Sequence, residues 1–465
     1  MKKILSLLMV FVAANCFAAK PNKSQPHIIF IMTDQQSMAA MSYMGNTQLS
    51  TPNIDKLAEV GYSFTRNYAT NPLCLPARYS IMTGYYPSKV GVRDNVSRVS
   101  PEQKEAYDKT RSKSFANLLK EAGYKTYYGG KVHLPGTEIL TGSEKYGFDN
   151  LLSIDVRDVL AHKTVEALLE EGEGNTPLCM VLSFMNPHDI CEYGTYARHN
   201  YKLPEKEVWQ SRNLEKYLEV IRQMEAAEEY PEDEFYSSIA PPLPVNAAPT
   251  DITPIKSNAN FFDEKGWKHR NWVYNRLVEE VDTEIGIVLK ALMESPIWDN
   301  SIVVFTSDHG DMQGAHRLQN KPFPYEEAEV VPLIFTGGAV KKGVIDKDNL
   351  ISQIDLVPTL CDFAGVSWPE DLPGVSLKPI LTGESNNLPE RLVYVEGKSW
   401  TQIIKDGRYK YTLMDDPTLP AMLIDLKTDP AELKNLVNNT DHQKLKQELH
   451  AELVRRNKQE NLIIQ

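Results

Sequence analysis

Cysteine is scarce, five in 465 residues, and no two of the five form a close C-x-x-C pair. That excludes a disulfide-framed scaffold and a zinc-knuckle or thioredoxin-type site, so each cysteine is read singly. Positive charge is also in deficit. Lys and Arg total 50 against 62 Asp and Glu, a net −12, which argues against an electrostatic grip on nucleic acid or on an anionic membrane surface. An anionic substrate would need a local cluster of cations. Repeats and low-complexity tracts are missing, and past the N-terminal segment no apolar run approaches the roughly 20 residues a membrane span requires. What is present is length and apolar content, 42% hydrophobic residues, enough to bury one large core and a smaller one.

Met1-Lys2-Lys3 precedes the apolar run 4–14 and then Cys16-Phe17-Ala18, the layout of an export signal over residues 1–19. The expected location is therefore periplasmic or secreted, with a lipid anchor on Cys16 as the weaker alternative because Ala14-Asn15 fits such anchors poorly. Beyond the signal, apolar β-branched runs at 27–32, 125–128, 178–184, 302–306 and 331–335 alternate with amphipathic patterns, notably 51–60 and 275–293. In the first of these Thr51 can cap, Pro52 fits the first turn and Gly61 stops the helix. The expectation is an α/β fold, a large mostly parallel or mixed sheet flanked by helices, over residues 25–385. From 386 to 465 short strand-like pieces at 392–396, 400–405 and 409–413 predict a smaller C-terminal subdomain on an antiparallel sheet. The Glu-, Pro- and Tyr-rich stretch 200–260 reads as an insertion over the surface, of the kind that shapes a substrate mouth.

Polar residues of catalytic or metal-binding type follow four of the predicted strands directly. They are Asp34-Gln35, Lys131 with His133, His188, and Asp308-His309. Ligands of open α/β sheets bind beyond the carboxyl ends of the strands, so these groups should converge there. A fifth segment runs from Asn71-Pro72-Leu73-Cys74 through Pro76 and Arg78 to Thr83-Gly84. Pro76 suits a first helical turn and Gly84 an end, which sets Cys74 at the positive pole of a helix and Arg78 one turn along the same face.

Cys74-Leu75-Pro76-Ala77-Arg78 with Thr83-Gly84 resembles the signature of the formylglycine-dependent sulfatases, within the alkaline-phosphatase-like superfamily. The resemblance extends to Thr33-Asp34-Gln35, Gly130-Lys131-Val132-His133, Asn186-Pro187-His188-Asp189, Ser307-Asp308-His309-Gly310-Asp311, and Lys321 ahead of Tyr325-Glu326-Glu327. It reaches Ile424-Asp425-Leu426, Asp429-Pro430 and Asn435-Leu436, nearly the whole mature chain. It implies that a formylglycine-generating enzyme converts Cys74 to 3-oxoalanine, whose hydrate supplies the nucleophilic oxygen. It further implies one divalent metal held by Asp34, Gln35, Asp308 and His309 and touching residue 74. Arg78, Lys131 and Lys321 would hold the sulfate, His188 would protonate the leaving alcohol, and His133 would deprotonate the sulfated hemiacetal.

Many members of the family carry Asp where Gln35 stands and Asn where His309 stands. Oxygen ligands favour Ca²⁺, while the imidazole admits Mn²⁺. Similar Asp-Gln and Asp-His pairs occur in relatives resembling choline-sulfatases and phosphonate or phosphodiester hydrolases. The leading reading is thus an exported sulfatase acting on a sulfated carbohydrate. A phosphonate monoester or phosphodiester hydrolase is the alternative, and a non-catalytic glycan-binding relative the remote one. His316, Arg317 and Asn320, between Asp308 and Lys321 in the sequence, are expected to approach the substrate.

Overall fold

The run His27–Asp34 forms β1, buried along its entire length. Full burial follows from its neighbours, because β1 pairs in parallel with β6 (Leu178–Pro187) on one side and β7 (Ser301–Ser307) on the other. The structure is a computed structural model describing residues 25–96, 98–171, 176–198, 214–247, 262–460 and 462. The expected signal segment with Cys16, and the stretches 199–213 and 248–261 of the expected insertion, lie outside the described residues.

The remaining strands are β2 (Gly61–Phe64), β3 (Asn67–Tyr68), β4 (Lys125–Gly130), β5 (Asn150–Leu151), β8 (Leu333–Thr336), β9 (Val344–Asp346), β10 (Ile351–Ser352), β11 (Leu392–Glu396), β12 (Trp400–Lys405), β13 (Tyr409–Met414) and β14 (Met422–Asp425). Eight of them make the main sheet, in the order β5-β4-β6-β1-β7-β8-β2-β9. It is mixed because β8 runs antiparallel to both β7 and β2, while the other pairings are parallel. Side chains alternate between two cores, as the pleat requires. Ile29 and Ile31 join one core with Val281, Ile285 and Leu292, while Ile28, Phe30 and Met32 join the other with Tyr79, Ile81, Leu119 and Leu360.

Three helices matter for the site: α1 (Pro52–Val60), α2 (Cys74–Thr83) and α3 (Glu264–Glu294). Thr51 stands at the N-cap of α1 but does not cap it. Its hydroxyl donates instead to Asp55 Oδ1 at 2.9 Å. α3 starts earlier than its apolar period indicates, at a turn where the Asp263 side chain accepts from the Gly266 amide at 2.8 Å. Of the expected insertion, the described part is helical, Leu214–Glu228 followed by short turns through Ile239.

β11 to β14 form a four-stranded antiparallel sheet. Tyr394, Ile403, Tyr411 and Leu423 pack with Leu449 and Leu453 of α4 (Gln443–Gln459). The opposite side chains, Val393, Val395, Ile404 and Met414, belong to the same core as Ile29 and Ile31 of the main sheet. No helix among the described residues is long and apolar enough to cross a membrane.

Candidate active site

Each of the four strand-end groups sits where its strand stops. β1 ends at Asp34, and Gln35 turns the chain with a left-handed φ of 72°. β7 ends at Ser307, immediately before Asp308-His309, and β6 ends at Pro187 before His188. β4 ends at Gly130, where φ is 87° and a Cβ would lie 2.0 Å from the Ser183 carbonyl oxygen. Only glycine fits that approach, and the next amide, Lys131 N, donates to the same carbonyl at 2.9 Å.

Cys74 opens α2 as its first residue, and every residue of that helix is buried. The Leu75 amide, one of the free donors of the first turn, is taken by Asn95 Oδ1 at 3.0 Å. At the other end, Gly84 adopts a left-handed φ of 76° and donates to Ser80 O, closing the helix where the sequence indicated. The thiol faces four groups from four other segments. His309 Nε2 lies 3.1 Å from Sγ, Lys321 Nζ 3.2 Å, Lys131 Nζ 3.6 Å and Asp34 Oδ1 3.7 Å. Burial alone would raise its pKa, but Lys131, Lys321, His309 and a contact from His133 draw it well below the ordinary value.

Arg78 is fully buried one turn along α2 and spends its donors on its own chain. Nη2 reaches Asp34 Oδ2 at 2.7 Å, and Nε reaches Asp308 Oδ2 at 2.8 Å. Nη1 reaches the Lys131 carbonyl at 2.7 Å and Ser183 Oγ at 2.8 Å. The guanidinium thus clamps the two carboxylates side by side. Lys131 Nζ adds a second cation to Asp34 Oδ2 at 2.5 Å. Burial works against ionisation of Asp34, yet Lys131, His188 and Arg78 hold its carboxyl below the usual range. Asp308 is shifted upward, by burial first and then by the charge of Asp34 beside it.

Gln35 is oriented from both ends. Its Nε2 donates to Asp311 Oδ2 at 2.6 Å, and Asp311 is in turn held by Arg270 of α3 at 3.1 and 3.0 Å. Its Oε1 therefore faces the site, accepting from Lys321 Nζ at 2.7 Å and from the Cys191 thiol at 3.2 Å. Lys321 is 6% exposed and so stands inside the site rather than at its mouth. His188 is a quarter exposed at its side chain, 3.9 Å from Asp34 Oδ1. Burial, then Lys131 and Lys321, lower its pKa to about 3, so the ring is neutral in the substrate-free protein. His133, left-handed at φ 42°, is half-buried with Nδ1 enclosed and unpartnered.

The structure thus brings together the ten residues to which the resemblance gives a role: Asp34, Gln35, Cys74, Arg78, Lys131, His133, His188, Asp308, His309 and Lys321. His316 is different, since its ring turns inward, 4% exposed and stacked 3.9 Å from Tyr325. Arg317 and Asn320 remain half-buried. Several supporting residues carry no sequence signal. Ser183 holds Arg78, Gln353 Nε2 donates to the Asp308 carbonyl at 2.7 Å, and Arg270 fixes Asp311. They come from separate elements that only the topology unites.

Among the described residues, Asp34, Cys74, Asp308 and His309 offer ligand atoms all within 4.8 Å of one another, every one buried. Two carboxylates and an imidazole in a buried pocket suit a divalent ion, and the burial and Asp34 charge that raise Asp308 are what such an ion would offset. The sequence profile of the sulfatases matches residues 26–366, and that of the C-terminal part of N-sulphoglucosamine sulphohydrolase matches 314–459. The chain belongs to the sulfatase family. It is thereby an enzyme of the sulfuric ester hydrolase class. A Δ4,5-hexuronate-2-O-sulfatase of Bacteroides thetaiotaomicron is 27% identical over 93% of this chain and 89% of its own length. The solved structure of a 2-O GAG sulfatase superposes with a TM-score of 0.73 at 25% identity, covering 94% of this chain and 93% of that one. The fold is shared more widely. A phosphonate monoester hydrolase of Agrobacterium radiobacter gives a TM-score of 0.66 at 21% identity, over 94% of this sulfatase and 96% of the other chain.

Proposed function

We propose that this protein is an exported sulfatase that hydrolyses sulfate esters on a sulfated glycan, with residue 74 as formylglycine after maturation by a formylglycine-generating enzyme. The observation that carries the reading is the surroundings of Cys74, where two lysines, an imidazole and a carboxylate stand 3.1–3.7 Å from Sγ at a helix N-terminus. A sulfate ester repels a nucleophile until its charge is met by cations and donors, and this pocket supplies them in a chain of net −12. Relatives named for 2-O sulfate on hexuronate and on GAG support a carbohydrate substrate. Export rests on the N-terminal pattern of Lys2-Lys3 and the apolar run that follows.

Asp34, Asp308 and His309, with Gln35 and residue 74, would hold the divalent ion, Ca²⁺ in preference to Mn²⁺. Bound there, it would polarise a sulfate oxygen and the nucleophilic oxygen. Lys131 and Lys321 both reach residue 74 and are the groups that hold the sulfate. Arg78, committed to Asp34 and Asp308, keeps the two carboxylates parallel. His188 is placed to donate a proton to the leaving alcohol, and an arriving anion favours its charged form against the two lysines that suppress it. His133, whose side chain contacts residue 74, takes the hemiacetal proton that lets sulfate leave.

Parallel turnover measurements on defined sulfated mono- and disaccharides, phosphonate monoesters and phosphodiesters test this. Sulfate esters should be cleaved with much the higher kcat/KM. Higher efficiency on the phosphorus esters would establish the alternative instead, which the amide of Gln35 in place of a carboxylate and the imidazole of His309 in place of an amide favour. Sugar binding without turnover of any ester, and residue 74 still a thiol, would indicate the glycan-binding relative.

A further inference from the structure

Lys321 lies in a loop with an unusual backbone. Between Asp311 and Lys321, four non-glycine residues are left-handed: Gln313 (φ 46°), His316 (52°), Arg317 (57°) and Asn320 (65°), and Gly314 makes a fifth at 88°. Such conformations persist only where the surroundings over-determine them. The start of the loop is held by Asp311 Oδ1 accepting from Gln313 N at 2.8 Å and by Asn271 Nδ2 donating to Gln313 O at 2.8 Å. Its end is held by Trp400 Nε1 on the Pro322 carbonyl at 3.3 Å.

The middle is held from outside the sheet, by Asn246 at the end of the helical insertion. Asn246 is 2% exposed, and its Nδ2 faces three acceptors: Glu327 Oε1 at 2.8 Å, His316 Nε2 at 3.2 Å and the Ala431 carbonyl at 3.2 Å. The main-chain carbonyls of Asn246 and Ala247 also meet the loop, accepting from His316 N at 2.8 Å and from Arg317 Nε at 3.1 Å, bonds that do not depend on the Asn246 side chain. The side chain itself ties the strained loop to the start of the Glu326–Glu329 helix and to the C-terminal segment at 431.

We propose that Asn246 is a positioning residue that fixes Lys321 against residue 74 and so sets the sulfate contact through the loop that carries Lys321. The loop has hydrogen bonds of its own, Met312 N to Asn320 O at 2.7 Å and Gly314 N to Leu318 O at 3.0 Å, and the Asn246 side chain adds the tie that fixes it relative to Glu327 and Ala431. Lys321 Nζ is then delivered 2.7 Å from Gln35 Oε1 and 3.2 Å from Cys74 Sγ. With the clamp gone, the loop can relax towards right-handed conformations and Lys321 loses its fixed reach, which costs most where its charge must meet the sulfate. This inference rests on the sulfate-ester reading of the site.

The test is a double-mutant cycle on Asn246→Ala and Lys321→Ala in the mature full-length enzyme. Expected are at least a tenfold fall in kcat/KM on the best sulfate ester for each single variant, and weaker inhibition by inorganic sulfate. In the Lys321→Ala background, adding Asn246→Ala should change neither quantity by more than about twofold, because the group it positions is already gone. Losses that multiply would make Asn246 a general structural contact and overturn the proposal. If Asn246→Ala does not fold, as judged by its melting curve, His316→Phe replaces it. That change keeps the stack on Tyr325 and removes the Nε2 acceptor, so it should show a smaller loss with the same dependence on Lys321. Multiplying losses there overturn the proposal equally. The two readings fail differently. An enzyme indifferent to Lys321→Ala on sulfate esters removes the sulfate-ester assignment of Lys321, whereas dependence on Lys321 with multiplying losses removes only the clamp.

Discussion

At the scale of the residue, the site is a charge problem solved by pairing. Two carboxylates and a nucleophile position are packed with Arg78, Lys131 and Lys321, and each cation has a distinct geometry. Arg78 is a planar fork with four hydrogen bonds made, while the lysines are point charges held beside residue 74, Lys131 on Asp34 and Lys321 on Gln35. It follows that Cys74→Ala should fold with an unchanged melting temperature yet show no turnover, since it deletes the nucleophile at a helix mouth and leaves the clamp intact. Peptide mass spectrometry of active wild-type enzyme should find residue 74 as formylglycine. Fully active protein carrying only the thiol would remove the mechanism. Asp308→Asn keeps an acceptor for Arg78 Nε but deletes the charge. Elemental analysis should then fall from one divalent ion per chain to a small fraction, with the fold retained. Stoichiometric metal in both Asp308→Asn and Asp34→Asn would show that the ion binds elsewhere.

At the scale of the element, Glu396 shows what burial at a strand end does. It closes β11 fully buried, accepting from Ser88 N at 2.9 Å and from the Ser88 hydroxyl. Burial dominates and pushes its pKa up to about 7 despite those bonds. The folded state thus binds this proton more tightly than the unfolded chain does. The stabilisation is complete below the unfolded value of 4.5 and is lost as pH rises through about 7. Between pH 5 and pH 8 wild type should lose more in melting temperature than Glu396→Gln, and parallel curves would show the group to be ionised throughout. The same element-level physics decides what could be read in advance. β1, β4, β6, β7, β8 and β11–β13 lie in apolar or alternating runs and were legible. β2, β3, β5, β9, β10 and β14 are two to four residues long, too short for a period, and exist because a partner strand is already in place. The first third of α3 escaped for a different reason. There Arg270 and Asn271, buried by pairing with Asp311 and Gln313, interrupt the apolar face of Trp267, Trp272, Val273 and Tyr274, so the apolar period fails. In the site, strand-end residues were visible because their position follows from the sheet. Ser183, Gln353 and Asn246 were not, because nothing local marks a residue whose only function is to meet another segment.

At the scale of the whole molecule, the main question is whether the C-terminal sheet is a separate unit, as the change of sequence texture near residue 386 implies. Its packing argues otherwise. Val393, Val395, Ile404 and Met414 complete the core beneath β1, so the segment 25–385 alone would expose one side of that core to water. The join is also electrostatic. Lys410 of β13 is buried and reaches Glu329 at 2.9 Å, Glu432 at 2.8 Å and Glu326 at 3.1 Å, linking the sheet to the helix just beyond Lys321. Burial raises Glu329 to about 7 and Glu432 to about 8, and the Lys410 charge is what limits the rise. We therefore expect residues 25–385 produced alone to be unfolded or aggregated, and the full chain to unfold in one cooperative step. Lys410→Met should cost about 3–5 kcal/mol at pH 8, where the carboxyls lose their cation and must either stay charged in the interior or take up protons against the pH. The cost should shrink at pH 5, where both carboxyls bind protons and need no cation. Denaturant midpoints at the two pH values measure this. A penalty of equal size at both would mean that Lys410 acts through packing rather than charge, and a cooperatively folded 25–385 fragment would mean that the two sheets are independent after all.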